Sequence, residues 1–163
     1  MSAAFKMDSR VSSSGHAALA EQFLTFEVGS ELFALPILLV QEIRGWEKVS
    51  EIPRTAAQIL GVINLRGSVV PVLDVRIRLG MEARAATPTT VVIVVRPDTG
   101  HHNSTTVGCV VDAVSDVATI RIEDIRPAPS TCGSVDTHFV RGVATIDRRL
   151  VLVLDFAKLI SHP

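Results

Sequence analysis

The chain has 163 residues, of which 47% are hydrophobic and 20% charged, and its formal net charge is −1. This balance argues against a nucleic-acid binder, which normally carries a basic face, and no apolar run reaches the roughly 18 residues of a membrane-spanning helix. Two cysteines, Cys109 and Cys132, are too few for a disulfide framework or a metal site. Because the N-terminus also lacks the apolar core of a signal peptide, we expect a cytoplasmic protein.

Most of the chain has the pattern of short β-strands. Residues 1–22 are rich in Ser and Ala and predict a flexible tail, with a helix over 17–22 as the alternative. Residues 23–28 alternate with the period of a half-buried strand, and Gly29 and Ser30 predict a turn into a second strand at 32–35. Further strands are predicted over residues 40–44, 62–65, 69–73, 89–95, 107–111 and 114–120.

Three short helical segments are predicted between these strands, over residues 55–61, 75–79 and 155–160. Thr55 and Asp74 can cap the first two through their side-chain oxygens, and Gly61 suits the residue after a helix end. Asp155 begins the third. Short Gly-containing or polar links at 66–68 and 147–149 predict hairpin turns, residues 81–88 a linker and residues 98–105 a polar loop.

Part of the sequence occurs twice. Residues 61–74 reappear without a gap as 142–155, and residues 40–43 more faintly as 114–117. Two copies are too few for a solenoid, so the repeat predicts two related subdomains packed face to face. A groove between two such halves favours recognition over catalysis.

Residues that carry chemistry are sparse. None of the five histidines stands at metal-ligand spacing from another His or Cys, and the chain has no phosphate-binding loop or nucleophile elbow. Asp112 and Asp116 could share a strand face and act as an acid–base pair, although ordinary surface aspartates would have the same spacing. We therefore predict no catalytic residue, no cofactor and no metal.

Five blocks, in this order and spacing, resemble the CheW family, the coupling proteins of bacterial chemotaxis. They are VQEIRG at 40–45, GVINLRG at 61–67, VPVLD at 70–74, VVDAVSDV at 110–117 and IRPAP at 125–129. The resemblance covers residues 23 to about 160. It implies a mainly β fold of two five-stranded SH3-like barrels, here about 23–88 and 89–163, with a few short helices.

The resemblance also implies a function and partners. Family members are non-catalytic scaffolds that join chemoreceptors, the methyl-accepting chemotaxis proteins, to a CheA-type histidine kinase in membrane-associated arrays. The regulatory domain of the kinase has the same fold and pairs barrel to barrel, while the helical tip of the receptor lies in the groove between the barrels. Self-association in array rings is a further expectation, and neither nucleic acid nor direct membrane insertion is expected.

By motif, the resemblance assigns two sets of contact residues. The receptor set is Val40, Glu42, Gly61, Arg66, Gly108 and Gly142, and the kinase set is Val49 and Val69. Within the receptor set, Glu42 and Arg66 look like the surface carboxylate–guanidinium pair of the family, and glycine would let the backbone of a partner approach closely. Turn and helix-end geometry would equally explain the glycines, and core packing the two valines. After Pro129 the chain lacks the aromatic residue with which family members often meet the kinase from the second barrel.

Two other functions are compatible with the sequence. The same adaptor module could serve a twitching, biofilm or developmental chemosensory system. A small barrel enzyme or ligand binder that uses Asp112 and Asp116 is the alternative from a different class.

Overall fold

The chain is a mainly β protein with two five-stranded sheets and a few short helices, which confirms the predicted fold class. A computed structural model describes residues 19–53, 57–97, 105–130, 133 and 135–161. The strands are β1 Ala20–Val28, β2 Glu31–Pro36, β3 Val40–Gly45, β4 Ile59–Leu65, β5 Ser68–Asp74, β6 Val91–Val95, β7 Val107–Val111, β8 Ala113–Arg121, β9 Val140–Ile146 and β10 Arg149–Leu154. The helices are α1 Val75–Arg78 and α2 Phe156–Ser161, with 3-10 turns at Ile37–Leu39, Ile122–Asp124 and Thr137–Phe139.

The two sheets are not built from consecutive halves of the chain. The first sheet has the order β8-β1-β2-β10-β9 and the second has the order β3-β6-β7-β5-β4. Each sheet therefore joins the first two strands of one repeat to the last three strands of the other. The predicted division at residues 88 and 89 does not separate the sheets, because the chain crosses between them after β2 and again after β7.

The repeat predicted from the sequence recurs in the hydrogen-bond register. In the β4–β5 hairpin Gly61 lies opposite Val72, and in the β9–β10 hairpin Gly142 lies opposite Val153. In both hairpins a β-bulge lies one residue before the glycine, at the same point of the repeat. The two repeated segments are equivalent strand–turn–strand units in separate sheets, as expected.

The alternating side chains of the inner strands fill three cores. The largest core lies between the sheets, and we call it the junction core; in β6 it receives Ile93 and Val95, whereas Val92 and Val94 point into the core of the second sheet. In β2, likewise, Phe33 faces the junction and Leu32 faces the core of the first sheet. Strands buried on both faces explain the continuous apolar runs of the sequence.

A buried ion cluster ties the two sheets together at one end of the junction. Arg76, only 4% exposed, donates from Nε and Nη2 to the two carboxylate oxygens of Asp74 at 2.9 Å each. Its Nη1 donates to Asp112 at 3.1 Å, and the other carboxylate oxygen of Asp112 accepts from the backbone N–H of Gly29 at 2.6 Å. The cluster thus links the end of β5, the β7–β8 connection and the β1–β2 turn.

Two local predictions were wrong. Residues 59–61 belong to β4 and not to a helix, because pairing with β5 outweighs the local helix pattern; the predicted cap Thr55 lies outside the described residues. Strand β1 begins at Ala20, where it pairs with Arg121 of β8, so the predicted tail and its helical alternative both fail over residues 20–22. Residues 1–18, the loop residues 98–104 and Cys132 also lie outside the described part.

Other local predictions hold. Asp74 accepts a hydrogen bond from the backbone N–H of Arg76 and caps α1, and Asp155 accepts one from the N–H of Lys158 at the start of α2. Cys109 lies in the junction core, where burial raises the pKa of its thiol to about 12.

We predict that Arg76→Ala destabilises the protein by about 3–5 kcal/mol, because it leaves two carboxylates of the cluster without their shared counter-charge. The measurement is urea unfolding followed by circular dichroism. Arg121→Ala is the control, since Arg121 also pairs with two carboxylates, Glu123 and Asp124, but at the surface. Arg121→Ala should leave the unfolding midpoint almost unchanged. Equal midpoints for all three proteins would show that the cluster does not hold the junction.

Candidate partner-binding surface

The carboxylate–guanidinium pair predicted from the sequence is present. Glu42 lies in β3 and Arg66 at the turn of the β4–β5 hairpin, where Arg66 Nη2 is 3.4 Å from Glu42 Oε2. Arg66 is 80% exposed, so the pair contributes at most about 1 kcal/mol to stability. The other carboxylate oxygen of Glu42 is buried and has no hydrogen-bond partner among the described residues.

Val40 does not share a face with Glu42, contrary to what the period of a regular strand predicts. A β-bulge at Gln41 places Val40 opposite Val95 and Glu42 opposite Val94. Val95 belongs to the junction core and Val94 to the core of the second sheet. Because the extra residue shifts the alternation by one, Val40 turns toward the junction and Glu42 toward the other side.

The glycines Gly61 and Gly142 are buried against their own chain. A Cβ on Gly61 would collide with the backbone oxygen of Ser50, and one on Gly142 would lie 2.6 Å from the backbone oxygen of Arg126. Beside each glycine a pair of backbone hydrogen bonds joins the two segments, between Ser50 and Val62 and between Arg126 and Val143. These bridges connect the chain leaving one edge strand to the opposite edge strand, so each glycine permits a sheet to close.

Gly108 is also buried. It lies in β7, and a Cβ there would come within 2.9 Å of Val92 Cγ1 in the core of the second sheet. For all three glycines, the close approach that the sequence attributes to a receptor is made by the chain itself.

The two valines assigned to the kinase differ in environment. Val49 is half-buried and packs against the core of the second sheet. Val69, in β5, is 70% exposed. A shallow pocket of about 380 Å³ lies beside Val69, and we call it the hairpin pocket. It is lined by Gln41, Leu65, Arg66, Ser68, Val69, Val70, Arg96, Thr105 and Thr106.

Sequence reasoning missed an exposed apolar residue in the crossover from β2 to β3. Four apolar residues, 37–40, follow Pro36, and none of them is fully buried; we call them the crossover strip. Ile37, Leu39 and Val40 pack partly on the junction core, whereas Leu38 is 93% exposed. The signal was present as an apolar run that breaks the period of a strand. The strip adjoins the hairpin pocket, because Arg96, which lines the pocket, donates its backbone N–H to Leu39 O at 2.9 Å.

Asp112 and Asp116 do not form a pair. Asp112 is engaged by Arg76 and by the N–H of Gly29, while Asp116 is exposed and accepts from the N–H of Val117. Within the described ranges there is no cluster of three His, Cys, Asp or Glu residues that could hold a metal. None of the described helices is long and apolar enough to cross a membrane.

We predict that Gly142→Ala costs about 1–3 kcal/mol of stability, because the added methyl overpacks the closure of the first sheet. Thermal unfolding measures this cost. Gly45→Ala is the control, since no described atom lies within 4 Å of the Cβ it would add at the end of β3. If Gly142→Ala is as stable as Gly45→Ala, closure of the first sheet does not require glycine at position 142.

Comparisons with known proteins agree with this architecture. The family model described as CheW-like domain matches residues 22–163. A probable chemotaxis protein CheW from Rhizobium etli is 37% identical over 141 residues, covering 86% of this chain and 88% of the relative, and the chemotaxis protein CheW of Rhizobium meliloti is 40% identical over 134 residues, covering 82% and 83%.

Among solved structures, the scaffolding protein TtCheW from Thermoanaerobacter tengcongensis is similar with a TM-score of 0.76 at 30% identity, covering 88% of this chain and 90% of that one. The family model spans nearly all of the described chain, and relatives more than 30% identical cover over two thirds of it. This chain therefore belongs to the CheW-like domain family of chemotaxis proteins.

Proposed function

We propose that this protein is a non-catalytic scaffold that couples chemoreceptors to a CheA-type histidine kinase. The observation that carries the proposal is the exposure of Leu38 in the crossover strip and of Val69 at the hairpin pocket, two neighbouring sites joined by the hydrogen bond from the Arg96 N–H to Leu39 O. A contiguous apolar patch exposed on a folded domain marks a site that a partner covers, and the crossover strip offers four consecutive apolar residues, none of them fully buried. Two such positions suit a protein that holds two partners at once.

The crossover strip is the proposed contact for the helical tip of a receptor. It lies where the chain passes from one sheet to the other, and Val40, assigned to the receptor by the family resemblance, belongs to it. An amphipathic helix docks through a few apolar anchors, and Leu38 offers an anchor point that the protein itself leaves uncovered. Gly61, Gly108 and Gly142 would then act on receptor binding through the shape of the barrels.

The β4–β5 hairpin is the proposed contact for the regulatory domain of the kinase. Val69 supplies the exposed apolar side chain, and Val49 supports the hairpin from the core of the second sheet. The protein would act in the cytoplasm, held at membrane receptor arrays by these partners, and self-association in array rings stays a prediction.

The same two surfaces would serve an adaptor in a twitching, biofilm or developmental system. Capture of kinases and receptor tips from the source cell distinguishes these pathways, since each pathway has its own kinase. An enzymatic role for Asp112 and Asp116 finds no support, because the two carboxylates have separate partners.

We predict that Leu38→Asp abolishes binding of a purified receptor-tip fragment, because it places a charge in the apolar contact proposed for the receptor. Kinase binding should stay intact, because the proposed kinase contact lies on the β4–β5 hairpin. Pull-down with each partner separately measures both interactions. Loss of both, or of neither, by a folded variant would contradict the assignment of the strip to the receptor.

We predict the opposite pattern for Val69→Asp, with a loss of about 2 kcal/mol or more in affinity for the kinase regulatory domain. Calorimetric titration gives the dissociation constant. Leu150→Asp is the matched control, since Leu150 occupies the same position in the second hairpin and is 52% exposed. Normal kinase binding by a folded Val69→Asp variant would remove the hairpin from the kinase interface.

A further inference from the structure

The hairpin pocket has a pronounced charge character. Two arginines, Arg66 and Arg96, line it together with the hydroxyl-bearing residues Ser68, Thr105 and Thr106. None of the described lining residues is acidic. The pocket therefore combines positive charge with hydrogen-bond donors, next to the exposed side chain of Val69.

The turn fixes the backbone of Arg66, and the guanidinium of Arg66 has N–H donors that Glu42 does not use. Its backbone has a φ of +51°, and the turn is held by the N–H of Gly67, which donates to Asn64 Oδ1 at 2.9 Å. The bond from Nη2 to Glu42 is long and leaves most of the five N–H donors of the guanidinium available. The guanidinium can therefore donate to a second carboxylate while it keeps its hydrogen bond to Glu42.

The second hairpin lacks this feature, although it is otherwise equivalent. Asp147 stands where Arg66 stands in the first hairpin, because both precede the second turn residue in the same register. The charge is thus reversed at this one position, and in the second hairpin the arginines Arg148 and Arg149 follow one and two residues later. A partner that selects the first hairpin can do so through this difference, since electrostatic complementarity gives specificity.

We infer that the hairpin pocket receives the carboxylate of an Asp or Glu side chain of the kinase regulatory domain, while an apolar neighbour of that side chain covers Val69. The inference rests on the proposed function and assigns Arg66 to the kinase contact in place of the receptor contact expected from the sequence. Arginine is one of the residue types enriched among interface hot spots. Arg96 adds a second positively charged residue to the lining of the same pocket.

The test is calorimetric titration of the purified kinase regulatory domain with charge-reversal variants of the full chain. Arg66→Glu and Arg96→Glu should each raise the dissociation constant about tenfold or more, and the effect should shrink at high salt. Arg148→Glu is the matched control, because it makes the same change of net charge at the exposed tip of the second hairpin; it should stay within about twofold of the parent.

A further variant separates binding from folding. Arg66→Glu sets a new carboxylate beside Glu42, so Arg66→Gln, which removes the charge without repulsion, should also weaken kinase binding while thermal melts stay unchanged. A loss of receptor-tip binding with normal kinase binding would overturn the inference, and so would an equal loss for Arg66→Glu and Arg148→Glu.

The outcomes distinguish this inference from the proposed function. If Val69→Asp loses kinase binding and both pocket variants retain it, the pocket does not hold a carboxylate but the hairpin remains the kinase contact. If Val69→Asp also binds normally, the kinase surface itself is wrong.

Discussion

The junction core between the two sheets is the constraint on which the rest of the structure depends. Each inner strand gives one face to the junction core and the other to the core of its own sheet, so its exposed side chains lie near its ends, as Val69 does in β5. The exchange of strands also holds the two halves of the chain together. Each sheet contains two strands of one repeat and three of the other, so neither repeat can separate without breaking both sheets. Exposed apolar side chains are consequently left at hairpins, edges and crossovers, where Val69 and Leu38 lie.

The repeat is retained in backbone register and lost in side-chain chemistry. The equivalent bulges and closing bridges recur in both sheets, since they determine whether a sheet can form at all. Charged positions vary between the copies, and Arg66 of one hairpin tip corresponds to Asp147 of the other. On the proposed function, this difference in charge would let a partner distinguish two hairpins of similar geometry.

Hydrophobic alternation and turn chemistry were sufficient to predict most strands and both hairpins, because these signals are local. The same signals could not predict which strands pair across the chain, and so the division at residue 88 failed. The candidate partner-binding surface was harder to predict from the sequence than the strands were. The pair of Glu42 and Arg66 followed from family motifs, but the bulge at Gln41 that separates Val40 from Glu42 depends on the register with β6. No local pattern encodes that register.

The repeated glycines can affect partner binding without contacting a partner. At Gly61 and Gly142 another segment of the same chain packs against the glycine backbone, at the two points where a sheet closes. Closure at Gly61 also sets the start of β4 and therefore the position of its hairpin tip, where Arg66 and the hairpin pocket lie. A side chain at Gly61 would push β4 away from the Ser50 segment that follows β3, and it would move the proposed partner contacts that this barrel carries. Loss of partner binding in such a variant would then arise from altered support of the surface, and the binding residues would be those that the hairpin carries outward.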